Sequence, residues 1–327
     1  MRNIRYQPLQ TITYVAGKAP GIEIIRGVKT HAILFRVAAQ ATITGGGGGA
    51  VHAEGLQRLI ERVKIIENGQ TTIEVTGRAL GYLTGRAQRQ AANINQLSAA
   101  TAATYQLSAD FVLDFASIYG ADPSETCYVE RDSRFPTVIE VTFTTNPQTA
   151  LISGTGLTLD SMSIAPTQMY DPVSQVMPFF LPRIKLVSSG SITGTITGFP
   201  VYLYPEAGAR VESVLLHALT DGVTTATVLN GNVTLRGDKY RYVDTVSRYT
   251  MLNEARRFLN FPAVSLSYFE LFSRFYGKLS EMYISGQDDN LRVEADVTNG
   301  GTASTFDAYL LQKLPIPGYT RALPQGW

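Results

Sequence analysis

The chain contains a single cysteine, Cys127, among 327 residues. It can form no internal disulfide and no multi-thiolate metal site, and it reads as a small buried residue rather than a nucleophile. Charge is scarce as well. Asp, Glu, Lys and Arg make up 17% of the chain, where about a quarter is usual for a soluble domain. The balance is 28 basic against 27 acidic residues. No basic excess is offered to a phosphate backbone, which argues against direct, specific nucleic-acid binding. The three histidines, His31, His52 and His217, form neither a His-x-His nor a His-x-x-x-His pair, so no zinc signature is present. No apolar run approaches the roughly 18 residues of a membrane-spanning helix. The N-terminus lacks the basic, apolar, small-residue order of a secretory signal. Synthesis in a cytoplasm is therefore expected.

What the chain does contain is 44% hydrophobic residues, enough for a sizeable core. A single sandwich rarely exceeds about 250 residues, so two domains are expected. A surface short of charge belongs either to a neutral Thr/Ser/Gly-rich monomer or to a protein covered by copies of itself. Composition leaves both open.

The organising stretch is Ile60 to Val75. Ile60, Val63, Ile65 and Ile66 lead into Asn68-Gly69, and Thr71-Thr72-Ile73-Glu74-Val75 resumes as a β-branched alternation. Asn-Gly between two such runs predicts a type I′ hairpin, because both residues tolerate positive φ. A similar pattern recurs at Val214 to Val228, with Val214, Leu215, Leu216 and Leu219 before Asp221-Gly222 and Thr224-Thr225-Ala226-Thr227-Val228 after it. Gly69 and Gly222 are 153 residues apart, nearly half the chain. Ser191-Ile192-Thr193-Gly194 likewise echoes Thr42-Ile43-Thr44-Gly45. The expectation is one fold written twice.

In chain order, Met1 to Gly27 reads as an N-terminal arm docking on a neighbour or as a first edge strand. His31 to Ile43 alternates with period two and predicts a strand. Gly45 to Gly49 is a flexible connection. It is no phosphate loop, since no Gly-Lys-Ser/Thr ending follows. Ala79 to Ala103, rich in Ala, Gln, Arg and Leu, predicts a helix, and Val243 to Leu259 predicts a second in the same relative place. Strands are expected over 105–115, 136–144, 157–164, 184–192, 199–204, 291–297 and 306–314. Pro166, Pro172, Pro178 and Pro182 mark a linker, which puts the first domain at 1–172 and the second at 173–327. Val264 to Tyr276 is dense in aromatics that suit a core or a subunit interface. Trp327 closes a Pro/Gly tail that reads either as a partner anchor or as a frayed end.

Candidate sites are sparse. Glu130, Asp132 and Glu140 could supply a glycosidase carboxylate pair, but read more readily as solvated surface. Asp288-Asp289-Asn290 offers oxygen ligands for Ca²⁺ or is an acidic turn. Ser, His and Asp are all present without a nucleophile elbow. Arg78, Arg86 and Arg89 form a solvated helix face or inter-subunit ion pairs. No catalytic site and no organic cofactor are expected.

The fold class expected is all-β: two consecutive eight-stranded jelly-roll β-sandwiches, each with a short inserted helix. The order of strand, Gly-rich loop, Leu56-Gln57-Arg58-Leu59-Ile60, apolar strand, Asn68-Gly69 and inserted helix, all repeated once, resembles the double jelly-roll major capsid proteins. Those belong to tailless, internal-membrane-containing phages with dsDNA or ssDNA genomes, and the corticovirus-like group is nearest in size. The resemblance implies a non-enzymatic virion capsid protein synthesised in the host cytoplasm. It implies a homotrimer of six sandwiches, a pseudo-hexamer that tiles an icosahedral facet with its lattice neighbours. It further implies contact with minor capsid, penton and membrane proteins, and with internal membrane lipid, where Arg2 and Arg5 could meet head groups. The alternative is a two-domain β-sandwich carbohydrate-binding or adhesive module. Such sites set exposed aromatics beside Asp and Asn, whereas most aromatics here fall inside apolar runs.

Overall fold

The computed structural model describes residues 4–45, 49–116, 127–128, 136–172, 180–220, 229–237, 242–259, 268–272, 283–284, 290–297 and 304–315. The chain divides into two compact units, Met1–Phe115 with Tyr128–Gln175, and Ala116–Cys127 with Val176–Trp327. The expected boundary at 172/173 abuts residues 173–179, which lie outside the described residues.

Unit 1 carries strands β1 (Arg5–Pro8), β2 (Ile12–Thr13), β3 (Gly17–Lys18), β4 (Ile22–Glu23) and β5 (Lys29–Ile43), then helix α1 (Gly55–Arg58). There follow β6 (Ile60–Glu67), β7 (Gln70–Val75), α2 (Gly77–Gln88), β8 (Ile94–Asn95), β9 (Ala103–Asp114), β10 (Thr137–Phe143), α3 (Pro147–Leu151) and β11 (Leu157–Asp171). One sheet runs β1-β11-β5-β9-β8, with β2 also on β11; the other runs β7-β6-β10-β3, with β4 also on β10.

Taking β1/β2 and β3/β4 as one strand position each, the eight positions are β1/β2, β3/β4, β5, β6, β7, β9, β10 and β11. The first sheet then reads first, eighth, third, sixth. The second reads second, seventh, fourth, fifth. This is jelly-roll order.

Unit 2 carries β12 (Phe180–Ile192), β13 (Ile196–Tyr202), β14 (Arg210–Thr220), β15 (Leu229–Gly237), β16 (Tyr242–Ser247), α4 (Arg248–Leu259), β17 (Tyr268–Phe272), β18 (Tyr283–Ile284), β19 (Arg292–Val297) and β20 (Ser304–Pro315). Its strands run β12-β20-β14-β17, with β18 also on β14, and β13-β19-β15-β16. Position by position this is the same order. Each unit also sets a helix after its fifth strand position, α2 after β7 and α4 after β16. The expected eight positions and inserted helix are present twice.

The repeat is real, but the echoes that suggested it join non-equivalent strands. Ile60–Glu67 is the fourth position, whereas Val214 to Leu219 lies in β14, the third. The counterpart of the β6–β7 hairpin is β15–β16, and the two helices start 171 residues apart, at Gly77 and Arg248. The second echo fails in the same way. Thr42-Ile43 ends β5, a third strand, and Ser191-Ile192 ends β12, a first. Alternating β-branched residues are common to every strand, so local likeness cannot fix register. Residues 221–228, which hold the expected second turn, lie outside the described residues.

Local chemistry explains most elements. In β5, Ile33, Phe35, Val37, Ala39, Ala41 and Ile43 are buried, while Arg36 and Ala38 face water. Asn68 (φ 49°) and Gly69 (φ 73°) both take positive φ, as a type I′ turn requires. In unit 2, Val214, Leu216, Val233, Val293, Ala295, Phe306 and Leu310 join one core drawn from both sheets, each large side chain contributing about 1.5–3 kcal/mol.

Three expectations need correction. The helix foreseen over 79–103 ends at Gln88, because Arg89 takes φ 56° and Gln90 N–H closes on the Gly85 carbonyl at 3.2 Å. Ile94 then pairs with Ala109, so sheet pairing overrides helix propensity. The helix foreseen from Val243 begins only at Arg248, and β-branched Val243 and Val246 belong to β16. Finally, Pro166 and Pro182 lie within strands, not in a linker. Pro166 falls between the segments of β11 paired by β1 and by β2. There Leu9 N–H donates to its carbonyl (2.9 Å) and no ladder donor is needed.

Helix α2 is fixed at both ends and in the middle. Ala79 N–H donates to Thr76 Oγ1 as an N-cap. Thr84 Oγ1 donates to the Leu80 carbonyl and accepts from Val112 N–H, both at 2.8 Å, which ties the helix to β9. A Cβ added at Gly77 would stand 2.8 Å from Ile60 Cβ and closer still to the Gln57 carbonyl oxygen, whereas at Gly81 it would meet Gln57 Cγ at 3.5 Å. Gly77→Ala should therefore destabilise the protein by about 1–3 kcal/mol or more. Gly81→Ala should stabilise it by about 0.5–1 kcal/mol. Urea unfolding midpoints moving in opposite directions would check the pair; equal shifts would refute it.

Candidate assembly surface

Residues with catalytic or ligating potential are dispersed or already engaged. His31 and His217 lie in β5 and β14 as expected, and both are buried. His52 is buried ahead of α1. Glu140 is bound by Lys18 Nζ at 2.6 Å, while Glu130 and Asp132 lie outside the described residues. Of the calcium candidates, Asp288 and Asp289 also lie outside, and the Asn290 carbonyl accepts from Arg292 Nη1 at 3.3 Å. Among the described residues no group of three or more His, Cys, Asp or Glu could hold a metal. Cys127 is fully buried.

Among the described residues Ser, His and Asp meet in unit 2, but in the wrong order for attack. Ser189, Asp307 and His217 are direct neighbours across β12, β20 and β14. Ser189 Oγ donates to Asp307 Oδ1 (2.8 Å), and His217 Nδ1 lies 3.7 Å from Asp307 Oδ2. The carboxylate is in the middle. A nucleophilic triad needs the imidazole there, to take the serine proton. Here the serine proton is held by the carboxylate, and His217 and Asp307 are both buried. The row is a cross-strand polar tie.

The surfaces are more informative. On the outer face of the β11-β5-β9 strands, Ser163, Ala38 and Ser108 form one row, Ser161, Gln40 and Gln106 the next, and Thr158, Thr42 and Thr104 the third. Thr42 Oγ1 lies 3.0 Å from Thr104 Oγ1 and donates to Asp160 Oδ2 at 2.6 Å. Beside these rows Arg36 and Asp110 lie opposite each other and pair at 3.9 Å. These rows carry small uncharged side chains, so a second such surface could approach them without like-charge repulsion. On α2, Arg78 and Arg86 are half-buried and Arg89 is exposed. Arg5 is exposed in β1, whereas Arg2 and Trp327 lie outside the described residues.

Comparison with solved structures decides what this architecture is. The chain is similar to the major capsid protein of Sulfolobus turreted icosahedral virus, with a TM-score of 0.71 and 15% identity, covering 98% of this chain and 100% of that one. It is similar to the major capsid protein P2 of bacteriophage PM2, with a TM-score of 0.57 and 12% identity, covering 94% and 97%. It is also similar to the Faustovirus major capsid protein, with a TM-score of 0.59 and 10% identity, covering 97% and 91%. No protein-family model and no curated protein sequence matches. The fold is a double jelly roll.

In this double jelly roll the sequence reading missed the exposed aromatics. Tyr6, Tyr202, Tyr204 and Tyr249 are each more than two-fifths exposed. The signal was present for two of them. Tyr202 and Tyr204 flank buried Leu203, and alternation sends them outward.

His52 gives a test of one loop cluster in unit 1. Its pKa is held below the ordinary 6.5 by burial and by the nearby Arg58 guanidinium, against a smaller opposing hydrogen bond to the Ile152 backbone. With the folded pKa depressed, protons bind the unfolded state more readily. Stability is full above pH 6.5 and is lost as pH falls below it. His52→Gln should flatten the decline in melting temperature between pH 7.5 and 5. An unchanged slope would refute this origin.

Proposed function

We propose that this chain is the major coat protein of an icosahedral virion. The observation that carries the proposal is the jelly-roll strand order written twice, in a chain that matches viral coat proteins almost end to end. Two similar sandwiches per chain make six in a trimer, and three-fold symmetry then presents a near-six-fold outline to its neighbours. Such a pseudo-hexamer tiles a facet. In this reading residues 1–172 hold the N-terminal arm and first jelly roll, and 173–327 the second jelly roll and tail.

The chemistry of the chain supports that role. A charge fraction of 17% and a neutral Ala/Ser/Gln/Thr face suit lateral contact between copies. An obligate interface needs more than the standard burial of about 1,600 Å². The partners are copies of the chain, first within a trimer and then across the lattice, with minor capsid and penton proteins at its vertices. The basal end faces an internal membrane, where Arg5 and Arg2 approach lipid phosphate. The role is structural and the chain carries no cofactor.

Light scattering on the purified protein should give three times the chain mass, and electron micrographs should show closed shells or hexagonal sheets. A monomer that persists at every concentration tested would overturn the proposal.

A further inference from the structure

The end of β13 and the segment after it present two aromatic rings to water. Tyr202 is 41% exposed and Tyr204 63%. Their rings stack, with centroids 6.0 Å apart and planes inclined by 27°. Leu203 between them is fully buried, so the segment is anchored to the core of unit 2 while its tyrosines point away from it. Tyr204 takes φ 42°, a left-handed conformation that a bulky residue adopts only where its surroundings impose it. Pro205, next in the chain, favours extended backbone instead.

The surroundings that impose it can be named. Lys185 Nζ donates to the Tyr204 carbonyl at 3.1 Å. Leu203 N–H donates to the Leu291 carbonyl at 3.0 Å, and Ala209 N–H to the Glu206 carbonyl at 3.0 Å. Glu206 N–H donates to Gln312 Oε1 at 3.2 Å. The stacked pair therefore stands on a segment that is ordered before any partner arrives, which removes most of the ordering cost of binding.

The groups beside the rings choose the partner. The Glu206 carboxylate is engaged by Arg183 Nε at 3.7 Å and Gln312 Nε2 at 3.4 Å. Lys185 uses one N–H on Tyr204 and has two more to give. Aromatic faces attract cations, but a cationic partner would meet this ammonium. A wholly apolar partner would strip water from the ammonium and from two phenol hydroxyls without replacing it. A ring with an apolar C–H face and oxygens around its rim satisfies both kinds of group. We propose that Tyr202 and Tyr204 form a saccharide-binding platform, on which a pyranose ring lies against tyrosine and directs hydroxyl or carboxylate oxygens to Lys185. The platform does not depend on the coat reading, and the two can fail separately.

The test is binding to a printed array of bacterial surface polysaccharides and short oligosaccharides by the wild-type protein, Tyr202→Ala, Tyr204→Ala and Tyr249→Ala. Tyr249 is 67% exposed on α4 and controls for general stickiness. Wild type and Tyr249→Ala should retain at least one glycan saturably. Tyr202→Ala and Tyr204→Ala should weaken that binding by about tenfold or more, as for a buried aromatic anchor. Assembly in electron micrographs should be the same for all four. No retention by wild type, or an equal loss in Tyr249→Ala, would overturn the platform. So would loss of assembly in Tyr204→Ala with no glycan bound, which would make the pair a contact between copies. Glycan retention by a chain that never assembles would sustain the platform and sink the coat reading.

Discussion

Each unit depends on its last strand entering between its first and third. In unit 1 that strand is β11, paired with β5 from Leu157↔Ile43 to Asp171↔Lys29 and with β1 on its other side. In unit 2 it is β20, flanked by β12 and β14 over nearly its whole length. The closing contacts join residues more than 80 positions apart, so they are costly in loop entropy and form slowly. They also decide everything downstream. Once β11 is seated, Ile164 and Met162 face the core and Ser161, Ser163 and Ala165 cannot. A slip of one residue would exchange the two sets.

The two units guard that register by different means. Unit 1 uses apolar alternation, backed by Gln168, whose Oε1 accepts from Ile25 N–H (2.7 Å) and whose Nε2 donates to Thr30 Oγ1 (2.7 Å). Unit 2 sets polar residues against one another across its first sheet, one set directly opposed and two offset along the strands. Ser189, Asp307 and His217 form one row, Ser213 donates to Glu270, and Lys313 lies 3.3 Å from Glu212. Buried polar contacts of this kind add little net stability. They are nonetheless severe against mispairing, because a shifted strand would bury these groups opposite carbon.

The residues that were legible in the sequence are those whose environment is set by their own strand. The alternations of β5, β9 and β19, the Asn68-Gly69 turn and the presence of one inserted helix in each half follow from spacing, composition and turn chemistry. What was hidden depends on partners remote in sequence. The true repeat register cannot be read from β-branched runs that every strand shares. Pro166 suggests a break until β1 and β2 are seen to leave a gap opposite it. The end of α2 at Gln88 goes with the positive φ of Arg89 and with Ile94 pairing with Ala109, against the helix propensity of the residues between. Tyr202 and Tyr204 were hidden among apolar neighbours, because a count of aromatics does not separate the two faces of a strand.

The scarcity of charge takes on a sharper meaning once the ion pairs are placed. Lys18 with Glu140, Arg62 and Lys64 with Glu74, and Arg36 with Asp110 all lie within unit 1. Arg183 with Glu206, Lys313 with Glu212, and Arg236 and Arg292 with Glu294 lie within unit 2. Many of the few charges are thus answered inside their own sandwich, most of them across neighbouring strands. The neutralisation is partial, since Glu61, Arg89, Lys185 and Arg256 stay exposed outside these pairs. Exposed ion pairs are worth only about 0–1 kcal/mol each, so little attraction is forgone by this arrangement. What it removes is repulsion. When identical chains are crowded edge to edge, like charges oppose like wherever a symmetry axis brings a patch against itself. A chain that neutralises many of its charges internally carries less of that repulsion on whichever face it presents to a copy of itself.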